Sequence, residues 1–106
     1  MPKYLIQASY TAEGAKGILK SGGSARRAAA QQAIESVDGK MEAFYFAFGE
    51  DDAFVIIDAP DNASLAAASL AINASGAVRT KTTVLLTPEE IDKAAKKTVR
   101  YRPPGQ

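Results

Sequence analysis

"MEAFYFAFGEDDAFVIIDA", residues 41–59, decides the fold. Its first part alternates: Phe44, Phe46 and Phe48 lie on one side of an extended chain, and Met41, Ala43, Tyr45 and Ala47 on the other. "AFVIIDA", 53–59, is a nearly unbroken apolar run, the pattern of a strand covered on both faces. Between them "GEDD", 49–52, is a short polar link with a glycine, so the two strands form a hairpin. The parity of that link decides which of Phe54, Val55, Ile56 and Ile57 share a face with the phenylalanines, because a shift of one residue exchanges the two sides. The adjacent carboxylates Glu50, Asp51 and Asp52 read as a solvated turn. Neighbouring side chains on extended backbone diverge, whereas a hard cation such as Ca²⁺ needs about six or more converging oxygens. Of the three, Asp52 begins the second strand and is placed to bond backbone at the hairpin.

Outward from the hairpin, "KYLIQASY" (3–10) alternates as a strand, with Tyr4, Ile6, Ala8 and Tyr10 opposite Lys3, Leu5, Gln7 and Ser9. "TAEGAKGILK" (11–20) offers Thr11 as an N-cap and Ala15, Ile18 and Leu19 at helical spacing. Gly14 and Gly17 each cost about 1 kcal/mol in a helix interior, which predicts a short or frayed helix. After "SGGS" (21–24), Ser24 is expected to cap a second helix with Ala30, Ala33, Ile34 and Val37 on one side, ending near Asp38 and Gly39. Downstream, "APDNASLAAASLAINASG" (59–76) reads as an Ala-rich helix capped by Asp61 or Asn62, with Leu65, Leu70 and Ile72 as its large apolar residues. "AVRTKTTVLL" (77–86) is a strand, with Arg79 and Lys81 opposite Val78, Thr80, Thr82 and Val84. "TPEE" (87–90) is a capping box that starts a last helix with a stripe of Ile91, Ala94 and Ala95.

The order is βαββαβ plus a C-terminal helix, an α+β, ferredoxin-like plan with both crossover helices on one face of an antiparallel sheet. The expectation is a single domain over 1–98 and a tail at 99–106. Every strand carries apolar residues on both sides, so the face without helices needs cover, and a second copy of the sheet is the economical one. A homodimer, or a higher homo-oligomer, built as a dimeric α/β-barrel is expected.

Composition narrows the chemistry. At 106 residues, 46% of them apolar and 24% charged, the chain is ordinary for one globular domain. It contains no Cys and no His, which removes disulfides, thiolate nucleophiles and the commonest general base and transition-metal ligand. Neither a metal nor another cofactor is expected. The formal charge of +1 creates no field to attract nucleic acid or an anionic membrane, and the basic stretch "KAAKKTVRYRPPGQ" (93–106) reads as a solvated tail. The apolar run in "MPKYLIQASY" is too short for a signal-peptide core, and no stretch reaches the roughly 20 apolar residues that span a bilayer. A cytoplasmic protein with no nucleic-acid or membrane partner is expected.

Through the hairpin and "AVRTKTTVLL", the chain resembles the GYD-domain family of the dimeric α/β-barrel superfamily, over roughly residues 3–95. Gly49, Glu50 and Asp52 keep the places of the family's hairpin pattern, while Asp51 stands where its tyrosine would be. "APD" (59–61), "VRT" (78–80) and Gly14 also match. The resemblance implies the fold and dimerisation and carries no established activity onto any residue. The wider superfamily includes cofactor-free monooxygenases, isomerases and haem enzymes, so fold alone does not select a function.

Two sets of residues are candidates for binding. Tyr4, Gln7, Tyr10 and Tyr45 offer phenol and amide groups, and Arg79 and Lys81 offer charge, for a pocket between sheet and helix or between two sheets. Such a pocket would take an apolar molecule with one acidic group. Lys20, Ser24, Arg26 and Arg27 surround the start of the second helix, whose free N–H groups suit an anion, and basic residues there oppose the helix dipole. "GILKSGGS" (17–24) has the spacing of a nucleotide-phosphate loop, but Gly23 occupies the place of its lysine and no strand precedes it. The expected function is small-molecule binding, extending to cofactor-free catalysis. The alternative is a non-enzymatic assembly or regulatory module.

Overall fold

The computed structural model describes all 106 residues. Four antiparallel strands form one sheet in the order β2-β3-β1-β4, with β1 Lys3–Tyr10, β2 Lys40–Phe46, β3 Ala53–Asp58 and β4 Val78–Leu85. The helices are α1 Ala12–Ser21, α2 Gly23–Glu35, α3 Asn62–Ala74 and α4 Pro88–Ala95. This is the ferredoxin-like α+β arrangement: α1 and α2 together make the first crossover, and α3 makes the second.

Register settles the parity of the hairpin. Phe44 pairs with Val55 and Phe46 with Ala53, while Tyr4 pairs with Ile57 and Ile6 with Val55. Tyr4, Ile6 and Ala8 of β1, Ala53, Val55 and Ile57 of β3, and Val78 of β4 are therefore buried together, with Ile34, Ala59, Leu65 and Ala68 from beyond the sheet. The opposite, open face carries Leu5, Gln7 and Ser9, Ala43 and Tyr45, Phe54 and Ile56, and Arg79, Lys81 and Thr83. Lys3 sits at one end of that face, held by Glu42 and by Asp58 at 3.0 Å. The carboxylates hold the ammonium charged, Glu42 most strongly and then Asp58, so the Lys3 pKa is raised.

Four expectations need correction. A bulge between Met41 and Ala43 adds one residue to β2, so Met41 joins Phe44 against the core instead of facing away. Phe48 lies beyond the end of β2, fully exposed at the hairpin tip. Leu70 is exposed on α3, whose inward side is Leu65, Ala68 and half-buried Ile72. Ser24 does not cap α2, because Gly22 does. With φ 89°, a backbone shape glycine tolerates, Gly22 closes α1 through its N–H to the Ile18 carbonyl at 2.7 Å and opens α2 at once. Ser24 is thereby left one residue inside the helix, exposed.

α1 is also continuous over ten residues despite Gly14. The glycine is there for proximity, since a Cβ on Gly14 would overlap the carbonyl oxygen of Ala77. Thr11 fastens the same junction, its N–H donating to Ala77 O and its hydroxyl to Gly76 O, both at 3.0 Å. α4 has the expected capping box: Thr87 N–H donates to Glu90 Oε1 at 3.0 Å, and Glu90 N–H to Thr87 Oγ1 at 3.1 Å. No residue of α4 is buried. The radius of gyration is 17.0 Å, against about 13 Å for a compact chain of this length, because the C-terminal segment stands away from the body.

Candidate functional site

The core thins toward one end of the sheet. Large side chains, Tyr4, Ile57, Ile34 and Leu65, fill the end near Lys3 and Asp58, whereas the other end has only Ala8, Ala53 and Val78 as its buried residues. Above that thin end α1 and α2 face each other with Gly14, Gly17, Ile18 and Ser21 on one and Gly22, Ala25, Arg26 and Ala29 on the other. Both sets run i, i+3, i+4, i+7, so each is one stripe of its helix, and both stripes are mostly small. Small side chains over a small-residue floor leave a cleft of about 310 Å³, closed at the bottom by Tyr10, Ala77 and Val78. Nothing lies within 4 Å of where a Cβ on Gly17 would stand, so that glycine keeps the space open.

Arg26 is the one cation in the cleft wall. Its guanidinium lies 5.8 Å from the centre of the Tyr10 ring, in cation–π range, and Tyr10 leans on Phe46 at 6.4 Å between ring centres, which packs on Phe44 at 5.1 Å. Arg26 Nε is buried and has no hydrogen-bond partner, and Arg26 forms no salt bridge. Buried donors are normally paired, so this one calls for an acceptor. Arg26 and Tyr10 also border a second, mostly apolar void of about 30 Å³ that continues between α2 and the sheet toward Ile6, Ile34 and Val55. The cleft thus offers a charged rim over an apolar interior.

The other candidate residues lie elsewhere, three of them together. Tyr4 is in the core, and its hydroxyl donates to Asn62 Oδ1 at 2.5 Å. Gln7, Arg79 and Lys81 line a polar hollow of about 260 Å³ on the open face, with Ser9, Glu50, Asp51 and Thr80, while Tyr45 stands apart on the same face; the sheet separates all four from the cleft. Arg27 turns to the far side of α2, above β2, and Lys20 and Ser24 are exposed outside the cleft lining. Of ten named side chains, only Tyr10 and Arg26 meet at the cleft.

The acidic turn is a set of fastenings. Asp52 accepts the Tyr10 N–H at 2.8 Å, and its own N–H donates to Ala8 O at 2.8 Å, so the hairpin is tied to β1 just beneath the cleft. Asp51 folds onto the open face, accepting from Gln7 Nε2 at 2.8 Å and Ser9 Oγ at 3.4 Å, with Lys81 Nζ at 3.7 Å. Asp52 thus fastens main chain, whereas Asp51 fastens side chains of the open face.

A model of the GYD domain matches residues 4–95, nearly the whole chain. The chain belongs to the GYD-domain family. In this GYD domain Asp51, at the place of the pattern's tyrosine, bridges the hairpin to β1 and β4. No curated protein and no solved structure matches the chain, so no relative supplies an activity. No helix is long and apolar enough to cross a membrane. What sequence reading missed is the cleft lining itself: the signal was the paired spacing of small residues at 14, 17, 21 and at 22, 25, 29, visible only once the chain break at Gly22 sets the two stripes face to face.

Proposed function

We propose that the protein binds a small, largely apolar molecule carrying one acidic group, such as an aromatic or short-chain carboxylic acid, in the cleft between α1 and α2. The single observation that carries this is the Arg26 guanidinium, which lines the cleft and has neither a salt bridge nor a side-chain hydrogen bond. A carboxylate entering the cleft would pair with the outer nitrogens of the Arg26 guanidinium through charge-assisted bonds, and the apolar part would lie along the small-residue stripes of α1 and α2. At about 310 Å³ the cleft lies at the small end of ligand pockets. Binding is favoured over turnover, because the titratable residues of the lining, Tyr10, Glu13 and Arg26, make no side-chain hydrogen bond to one another.

The working form in this proposal is a homodimer with open sheet faces together. Only 11 of 106 residues are buried in the single chain, and Phe54, Tyr45, Leu5 and Ile56 form an apolar patch that a second sheet would cover. The runner-up function, an assembly or regulatory module, draws on the exposed C-terminal segment.

The test is calorimetric and thermal-shift titration of wild type and Arg26→Met with aromatic acids, medium-chain carboxylates and quinones. Stabilisation by carboxylates that Arg26→Met removes supports the proposal. It is abandoned if no compound stabilises wild type and co-crystals show the cleft empty.

A further inference from the structure

The open face of the sheet is divided. Leu5, Ile56, Phe54 and Tyr45 make its apolar part, running from β1 across β3 to β2. The corner where β1 ends, β4 begins and the hairpin is tied to β1 is instead the polar hollow of about 260 Å³, and no apolar residue lines it. The residues that the proposed sheet pairing would cover are therefore not those of the hollow, and the sheet separates the hollow from the cleft between α1 and α2.

Two rows of side chains cross this corner, each with a cation, a neutral residue and an acidic residue of the hairpin. In the first, Lys81 pairs with Gln7 across β4 and β1, and Gln7 Nε2 donates to Asp51 Oδ2 at 2.8 Å. In the second, Arg79 pairs with Ser9, and Ser9 Oγ donates to the Glu50 carbonyl at 3.0 Å. The first row is closed. Lys81 Nζ stands 3.7 Å from Asp51 Oδ2, and the Asp51 side chain, which also accepts from Ser9 Oγ at 3.4 Å, is only 12% exposed. The second row is open: neither the Arg79 guanidinium nor the Glu50 carboxylate forms a salt bridge or a side-chain hydrogen bond. Their main chains stand about two strand spacings, roughly 10 Å, apart across Ser9, which leaves room for a small molecule between the two charges.

We infer that this corner is a second binding site, for a small polar zwitterion such as a free α-amino acid, whose carboxylate meets Arg79 and whose ammonium meets Glu50. The ligand closes the second row as the Lys81 and Asp51 pair closes the first. Charge selects the class. Arg79 and Lys81 cancel Glu50 and Asp51, so the hollow has no net field for a simple anion or a simple cation, whereas a molecule with one charge of each sign matches both unpaired groups. The planar fork of Arg79 suits a carboxylate through two parallel charge-assisted bonds. Lining selects the side chain: with no apolar wall, an aliphatic or aromatic group gains no burial, while a hydroxyl or amide finds polar partners. Asp51, held by Gln7, Ser9 and Lys81, fixes one wall before the ligand arrives, which lowers the cost of ordering the site.

Full-length protein labelled with nitrogen-15 is titrated with L-serine at low ionic strength, where exposed charges are least screened, and with acetate, ethanolamine, phosphate and L-leucine for comparison. Serine is expected to bind with roughly millimolar affinity and to move the amide signals of Gln7, Ser9, Glu50 and Arg79. Acetate and ethanolamine, with one charge each, should bind at least tenfold more weakly, and leucine no more tightly than serine. Arg79→Gln and Glu50→Gln should each weaken serine at least tenfold while melting like wild type, since both side chains are exposed. Serine that leaves these amides unmoved shows a solvated corner. Phosphate that binds as well as serine, with Glu50→Gln indifferent, shows an ordinary basic surface, and a preference for leucine shows an apolar site. Any of these three results, or an unchanged serine affinity in either variant, overturns the inference.

Discussion

Replacing Arg26 by Met separates binding from folding, and the two effects are expected to have opposite signs. Met keeps most of the aliphatic stem and has a similar helix propensity, so packing in α2 changes little. What disappears is a buried Nε without an acceptor, a cation–π contact at 5.8 Å and a positive charge near the start of a helix. A fully buried unpaired donor costs about 1–3 kcal/mol, and because Arg26 is only partly buried the low end, about 1 kcal/mol, applies. The unfavourable charge–dipole term adds about 0.3 kcal/mol, and loss of the aromatic contact removes about 0.5–1 kcal/mol. The sum is about 0 to +1 kcal/mol in favour of the variant, a Tm unchanged or higher by up to about 5 °C. Binding goes the other way: a charge-assisted bond contributes about 1.5–3 kcal/mol, so affinity for a carboxylate should fall about 10- to 150-fold. Differential scanning fluorimetry with and without the best carboxylate measures both. A variant that melts more than about 5 °C lower yet binds as wild type would refute the reasoning, because Arg26 would then be a structural residue.

The same contacts set three further outcomes. Gly14→Ala should destabilise by about 1–3 kcal/mol through overlap with Ala77 O, whereas Gly17→Ala, with free space around it, should stabilise by up to about 1 kcal/mol; chemical denaturation compares the pair, and equal signs would contradict the geometry. Asp52→Ala should cost about 1–3 kcal/mol by stranding the Tyr10 N–H, and amide exchange at Tyr10 should quicken; an unaltered exchange rate would show that the bond is dispensable. Asp61 accepts the Ser64 N–H, which lowers its pKa, so its stabilising effect is full above the ordinary carboxylate pKa and is lost as pH falls through the lowered value. Melting curves of Asp61→Ala should therefore lie below wild type at neutral pH and converge with it in acid, and a gap that persists in acid would speak against the cap.

Much of the fold was legible because periodicity reports burial directly. The alternation in Lys3–Tyr10, the unbroken run after the hairpin and the Thr87–Glu90 box each encode their element within a few residues. What escaped depended on contacts between segments. The bulge that turned Met41 inward has no local signature, and in the Ala-rich α3 only packing against the sheet decides that Leu65 and Ala68 are buried while Leu70 is exposed. Ser24 is the better cap by residue type, but the φ of Gly22 had already begun the helix. The cleft was hardest, being made of side chains that are absent. Arg26 stood out by charge, while Lys20 and Arg27, equally basic, face elsewhere for reasons of helical phase alone.

The irregularity in β2 also bears on how copies of the chain can meet. β2 is an outer strand of the sheet, and outer strands with straight, free ladders recruit further chains side by side. An extra residue at Glu42 breaks the spacing of that ladder, and Lys40 and Glu42 place charge on it. The margin is thus a poor template for lengthwise growth into fibrils, and a mutant lacking Glu42 would expose an even margin, with Lys40, Met41, Ala43 and Phe44 alternating without interruption on the sides they already occupy. Deletion of one surface glutamate is therefore a route from a well-behaved protein to an aggregating one.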